Sequence, residues 1–330
     1  MRLPYVDRSG GTQQPFPAPP NRHHRSPVRP FRIVTRQAGP YDRRVVTPEQ
    51  STIPARKVSA LAGSCHPGPL VVVTALTAAL AVTAGQEPGR CLLTTGAVLT
   101  GQLSIGWCND AFDARRDIAT GRRGKPVADG AIEVRKVWTA AWAALALCVP
   151  LSFACGWVAG AAHLTAVAAA WAYDLRLKAT RWSWAPYAVA FAALPAFVTL
   201  GLPGRPWPAW WVLAAGALLG VGAHLGNVLP DIRGDLATGV RGWPQRLGPD
   251  RVRLLLPVPL VTASALLALG PAGPPGVRQM AALAGAGLIA VAGTVLGRRR
   301  EGAAFAAAVA VALLDVALLL SGGGLGTGAS

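Results

Sequence analysis

Two stretches of this 330-residue chain carry most of its capacity for chemistry. Residues 109–126 read NDAFDARRDIATGRRGKP, and residues 227–244 read NVLPDIRGDLATGVRGWP. At a constant offset of 118, ten of the 18 aligned positions are identical, including Asn109/Asn227, Asp113/Asp231 and Asp117/Asp235. In each copy Asn, Asp and Asp stand at i, i+4 and i+8, which is one stripe of a helix. Like charges four residues apart repel, and carboxylates at a helix C-terminus oppose its dipole. A hard divalent cation explains why both costs are accepted twice. Mg²⁺ prefers oxygen ligands, retains waters and binds carboxylates together with substrate phosphates. Asp113, Asp117, Asp231 and Asp235, with Asn109 and Asn227 beside them, suit two Mg²⁺ ions bridging a diphosphate. Arg115, Arg233, Arg123 and Arg241 can bring charge to the phosphate oxygens, and the turns TGRRG and TGVRG let the chain bend back over the site. A single DxxxD reads better as solvated acids pairing with neighbouring Arg; a gapless second copy argues against that.

A third polar segment, residues 171–187, reads WAYDLRLKATRWSWAPY. Lys178 and Arg181 are expected near the diphosphate. Tyr173 lies about a helical turn deeper, where its ring either faces an electron-poor carbon or anchors at the membrane interface. Trp171, Trp182 and Trp184 read as interfacial anchors. His163 and His224 read as neutral, hydrogen-bonded helix histidines, although His224, three residues before Asn227, is also a candidate to border the same cavity. Asp315 falls inside the last apolar run, where an acid is a functional candidate by default, but nothing near it in sequence pairs with it.

The elements that position these residues are apolar runs. Hydrophobic residues make up 52% of the chain and charged residues 14%, against about 25% charged in an ordinary soluble domain. Nine runs from residue 67 onward approach the roughly 20 residues a bilayer crossing requires: 67–85, 90–112, 134–154, 156–175, 184–203, 208–230, 251–270, 276–297 and 302–320. The expected fold is therefore all-α, a polytopic bundle of nine transmembrane helices, with the repeats at the ends of the second and sixth. Four intervening crossings make the repeat parallel, about an axis along the membrane normal. Formal net charge is +17, from 32 Lys+Arg and 15 Asp+Glu. With the N-terminus in the cytoplasm, 18 of the basic residues fall in inside connections and only Arg90, Arg205 and Arg278 outside. The C-terminus is then outside. That distribution accounts for the basicity without nucleic acid. A transporter would hold its acids near the midplane at broken helices, whereas these sit at helix ends. Residues 1–60, rich in Pro and Arg, are expected to be a disordered basic tail before a membrane domain spanning 61–330. Cys65, Cys91, Cys108, Cys148 and Cys155 show no disulfide or zinc spacing.

Two Asp-rich motifs on the second and sixth of nine membrane helices resemble the UbiA superfamily of intramembrane prenyltransferases. The matching stretches are NDAFDARRD with GKPVADG, YDLRLK with SWAPY, and NVLPDIRGD with ATG, over roughly residues 60–320. The resemblance implies a bundle around a lipid-accessible cavity, capped on the cytoplasmic side by the motif loops. It implies that Asn109, Asp113, Asp117, Asn227, Asp231 and Asp235 bind Mg²⁺ and diphosphate, that Lys178 is the basic residue for the diphosphate, and that Tyr173 lies near the allylic carbon. The partners it implies are a prenyl diphosphate donor, a small lipophilic or aromatic acceptor resembling a quinone precursor, and membrane lipid. A cyclase of the same superfamily, acting without acceptor, is equally compatible with the motifs. One departure is Lys125-Pro126, where the family often has Arg-Pro; the charge remains but the bidentate fork is lost.

Overall fold

Long runs of Ala, Leu and Val with no period-two alternation can bury their backbone polar groups in lipid only as helices. The computed structural model describes residues 53–121, 124–297, 299–300 and 302–321, and there is no β-strand among the described residues. The helices are α1 (Ile53–Gly63), α2 (Pro67–Thr83), α3 (Pro88–Ala119), α4 (Val134–Ala154), α5 (Trp157–Leu175), α6 (Ala185–Leu200), α7 (Trp210–Val228), α8 (Ile232–Ala237), α9 (Trp243–Leu247), α10 (Pro249–Leu255), α11 (Pro257–Leu269), α12 (Val277–Leu296) and α13 (Ala303–Ser321). Each of the nine apolar runs is helical. Among the described residues, six helical segments are long and apolar enough to cross a membrane: Pro88–Ala119, Val134–Ala154, Trp210–Ala237, Pro249–Leu269, Val277–Leu296 and Ala303–Ser321. The apolar helices α2 and α6 are shorter, at 17 and 16 residues.

The two segments that carry the repeats are the longest. At 1.5 Å per residue, the 32 residues of α3 span about 48 Å, well beyond a hydrocarbon core of about 30 Å. The 28 residues of Trp210–Ala237 span about 42 Å. The surplus length carries the polar C-terminal turns. Both repeats stop at a glycine with positive φ, Gly121 at 62° and Gly239 at 84°, a conformation that costs glycine nothing. The copies differ before that point. α3 runs straight through its motif. In the second copy Pro230 stands where Phe112 stands in the first, and the chain makes a 3₁₀ turn over Leu229–Asp231 before α8. Proline lacks the N–H that an α-helix needs there, so the expected single helical stripe is broken in the second copy.

α3 packs on α2 and α4, α6 on α5 and α7, α7 on α11, and α11 and α12 on α13, which meets α2. One core joins α7, α11 and α13 around Leu225, Leu256, Leu260 and Val311; another joins α3, α5 and α6 around Val98, Ala159 and Phe197. The joint between α6 and α7 is close. Gly216 and Gly220 form a GxxxG step, the small-residue spacing that lets membrane helices approach. A Cβ would lie 2.9 Å from the Phe191 carbonyl oxygen at Gly216 and 2.3 Å from that of Tyr187 at Gly220.

The segment expected as a tail through residue 60 ends in a helix. The small apolar residues of its last turns give it something to bury: Ala60 is buried, and Trp107 Nε1 donates to the Leu61 carbonyl at 2.9 Å. The expectations for residues 1–52, Arg123 and the C-terminal residues 322–330 lie outside the described residues. All five cysteines are free. Gly220→Val should force α7 off α6 and cost about 1–3 kcal/mol, read as a lower unfolding temperature in detergent, whereas Gly287→Ala, whose Cβ meets nothing within 4 Å, should leave it unchanged.

Candidate active site

The C-terminal turns of α3 and α7 border one cavity of about 300 Å³. Asn109 and Asp113 reach it from the first repeat; Asn227, Asp231 and Asp235 reach it from the second; Tyr173 and Lys178 reach it from α5 and the turn that follows. The repeats, 118 residues apart in sequence, are thus brought together with the third polar segment between them. Asp117 does not line the cavity but lies one turn behind Asp113, 2% exposed.

Buried carboxylates require partners, and the first repeat supplies them in a tight network. Lys178 Nζ bonds Asp113 Oδ1, and Arg116 Nη2 meets Asp113 Oδ2 at 2.9 Å. Lys125 Nζ lies 3.0 Å from Asp110 Oδ1 and 3.1 Å from Asp117 Oδ2. The ammonium of Lys178 also lies 5.1 Å from the centre of the Phe112 ring, a cation–π distance. In the second repeat the position of Lys125 is taken by Trp243. There Gln245 Nε2 donates to Asp235 Oδ2 at 2.8 Å. The loop carrying Gln245 is seated by the Trp243 N–H, which donates to Ser183 Oγ at 3.1 Å. Gly242 fits because a Cβ there would lie 2.4 Å from the Lys178 carbonyl oxygen.

An aromatic group lies beneath these charges. The Tyr173 ring stands edge-on to Tyr187 at 5.1 Å and to His224 at 5.6 Å. His224 Nε2 lies 3.1 Å from Ser183 Oγ. His163 is elsewhere, stacked on Phe197 at 4.5 Å with Nδ1 2.7 Å from Ser152 Oγ. Trp171 is buried, donating to Ser104 Oγ at 3.3 Å. Asp315 is fully buried and accepts a bond from Ser264, away from the cavity.

Four expected phosphate contacts among the described residues do not line the cavity. Arg115, Arg233 and Arg241 are exposed, and Arg181 is exposed with its guanidinium 5.5 Å from the Trp182 ring. For Arg115 and Arg233 the physical reason is helical phase. Residue i+2 points away from the face that carries Asp113 and Asp231, whereas i+3 lies on it. Arg116, not repeated in the second copy, therefore lines the cavity. Sequence reasoning also missed Asp110, Asp174, Tyr187 and Gln245. The adjacency of Asp174 to Tyr173 was an available signal, because both fall on the last turn of α5; Gln245 had none. Lys125→Ala removes the ammonium that the buried Asp110 and Asp117 share and should cost about 3–5 kcal/mol, read as a large drop in unfolding temperature, with Lys125→Arg recovering part of it.

The fold has solved counterparts. A UbiA homolog from Archaeoglobus fulgidus bound to DMAPP and Mg²⁺ superposes with a TM-score of 0.58 at 18% identity, covering 80% of this chain and 96% of that one. A digeranylgeranylglyceryl phosphate synthase structure gives 0.61 at 15% identity over 80% and 96%. The apo UbiA homolog from Aeropyrum pernix K1 gives 0.58 at 18% over 81% and 97%. No protein of curated function matches the chain in sequence. Residues 70–314, well over half of the chain, match the profile of the UbiA prenyltransferase family, and with both motifs inside that range, the chain belongs to this family.

Proposed function

We propose that this protein is a Mg²⁺-dependent intramembrane prenyltransferase that moves a prenyl group from its diphosphate to a small lipophilic acceptor, aromatic and resembling a quinone precursor. The observation that carries the reading is the meeting of two Asn/Asp pairs from separate repeats with Lys178 and Tyr173 around one cavity. The solved UbiA homologs bound to DMAPP or GPP together with Mg²⁺ support the donor class.

The donor set fits a hard cation. Every candidate ligand is oxygen: Asp113, Asp231, Asp235, Asn109 and Asn227 at the cavity, with Asp117 one turn behind. The buried Oδ2 of Asp174, also at the cavity, has no hydrogen-bond partner among the described residues. When bound there, Mg²⁺ would neutralise diphosphate charge. The chain's own residues do the rest. Lys178 and Arg116, now held by Asp113, can turn their N–H donors to phosphate oxygens and stabilise charge as the leaving group departs. Tyr173 presents an electron-rich ring to the allylic carbon as its bond to oxygen weakens. Tyr173 and Tyr187 flank the position for an aromatic acceptor. The apolar wall of the cavity at Pro69, Leu70 and Ile105 excludes the water that would quench a cation.

The same reading places nine crossings in the membrane, the N-terminus and the site in the cytoplasm, and the C-terminus outside. Its support is the division of basic residues between alternate loops. Residues 61–330 form the catalytic domain, helped by α1, and the segment before it is dispensable.

Membranes containing the protein should, with Mg²⁺ and labelled geranyl, farnesyl or geranylgeranyl diphosphate, release diphosphate and prenylate an aromatic acceptor identified by mass spectrometry. Release with only a hydrocarbon or alcohol as product would establish the cyclase instead. Asp113→Ala and Asp231→Ala should each lower turnover by at least about 10²-fold while the protein remains inserted; normal turnover in either would falsify the metal assignment. Removing residues 1–52 should leave turnover unchanged.

A further inference from the structure

The two motif asparagines are held in related ways by different partners. Asn109 Nδ2 donates to Asp174 Oδ1 at 2.8 Å, across from α3 to α5. Asn227 Nδ2 donates to the Tyr187 hydroxyl at 3.2 Å, across from α7 to α6. In both halves an intervening helix grips the amide nitrogen. A carboxamide is planar and its oxygen diverges from its nitrogen, so fixing Nδ2 on one side directs Oδ1 to the other. The two grips are not equally strict. A tyrosine hydroxyl both donates and accepts, and can satisfy an asparagine in either orientation. An ionised carboxylate only accepts, so in that form it pairs with Nδ2 and not with Oδ1.

Asp174 is 3% exposed and lines the same cavity as Asn109. Burial of a carboxylate in a membrane helix is costly unless it secures something. We propose that Asp174 is a positioning residue for the first repeat. It locks the Asn109 amide with its nitrogen toward α5, so that Asn109 offers oxygen, and not N–H, to a divalent cation in the cavity. This is the role that outer partners play in orienting metal ligands. It rests on the reading of Asn109 as a cation ligand. It assigns Asp174 no contact with the cation itself.

The test uses the full-length protein in nanodiscs and Mn²⁺ as probe, with binding followed by electron paramagnetic resonance in the presence of inorganic diphosphate. Asp174→Asn keeps the shape of the side chain but can donate as well as accept, which frees Asn109 to turn over. It should weaken Mn²⁺ binding by about 10–100-fold with an unfolding temperature near the parent's. Asn109→Ala should weaken binding to a similar extent. In the Asn109→Ala background Asp174→Asn should have no further effect, because a residue that acts only through Asn109 has nothing left to position. Tyr187→Phe, which removes the tolerant partner, should weaken binding less than Asp174→Asn. Unchanged binding in Asp174→Asn alongside weakened binding in Asn109→Ala overturns the positioning role and leaves the proposed function standing. An equal loss from Asp174→Asn in both backgrounds also overturns it, since Asp174 would then hold the cation directly. Unchanged binding in Asn109→Ala overturns the ligand assignment, and the positioning role with it.

Discussion

The constraint on which this structure turns is the burial of acid at the ends of membrane helices. Asp110, Asp113 and Asp117 crowd into two turns of α3, each no more than 6% exposed. No helix would hold three such groups there unaided, since desolvation and mutual repulsion both oppose it. Lys125 arrives from the loop beyond Gly121, Lys178 from the turn after α5, and Arg116 from the same helix. The two lysines each tie a different piece of chain to the motif. The loop after α3 and the segment between α5 and α6 are therefore placed by charge as much as by apolar packing.

The second repeat meets the same requirement by other means. Pro230 turns the chain at the motif, so Asp231 is exposed where Asp113 is buried. The acids are less deeply buried there, and Gln245 bonds Asp235. The position that holds Lys125 in the first copy holds Trp243 in the second, and its backbone seats the loop on Ser183. Ten identities in eighteen thus produce two structurally distinct halves around a shared cavity. The solved counterparts share the overall fold at under a fifth identity.

Much of this was legible in the sequence, for reasons that differ from residue to residue. The helical runs were clear because lipid permits little else, and their bounds fall within a few residues of the expected ones except at the α3 motif, where the helix continues to Ala119. The pairing of Asn109 and Asp113 with Asn227 and Asp231 followed from the repeat. Identity misled where phase should have decided: Arg115 and Arg233 match each other but point off the motif face, and unrepeated Arg116 reaches the cavity. The break at Pro230 was visible as a residue type, yet it was passed over because the flanking pattern matched. Tyr187 and Gln245 were not legible, since their placement depends on where α6 and the loop after α8 come to rest. Helix α1 was hidden by the basic, proline-rich composition before it.

The close joint between α6 and α7 has a consequence for how such a site can diversify. Gly216 and Gly220 rest against carbonyl oxygens of Phe191 and Tyr187, not against their side chains. The mechanical role of position 187 therefore belongs to its backbone, which every residue type shares, while its side chain lines the cavity. Support and selectivity are separable at one residue. Substitution there can reshape the cavity without loosening the helices that form it, so the two glycines can stay fixed while the side chain opposite them varies.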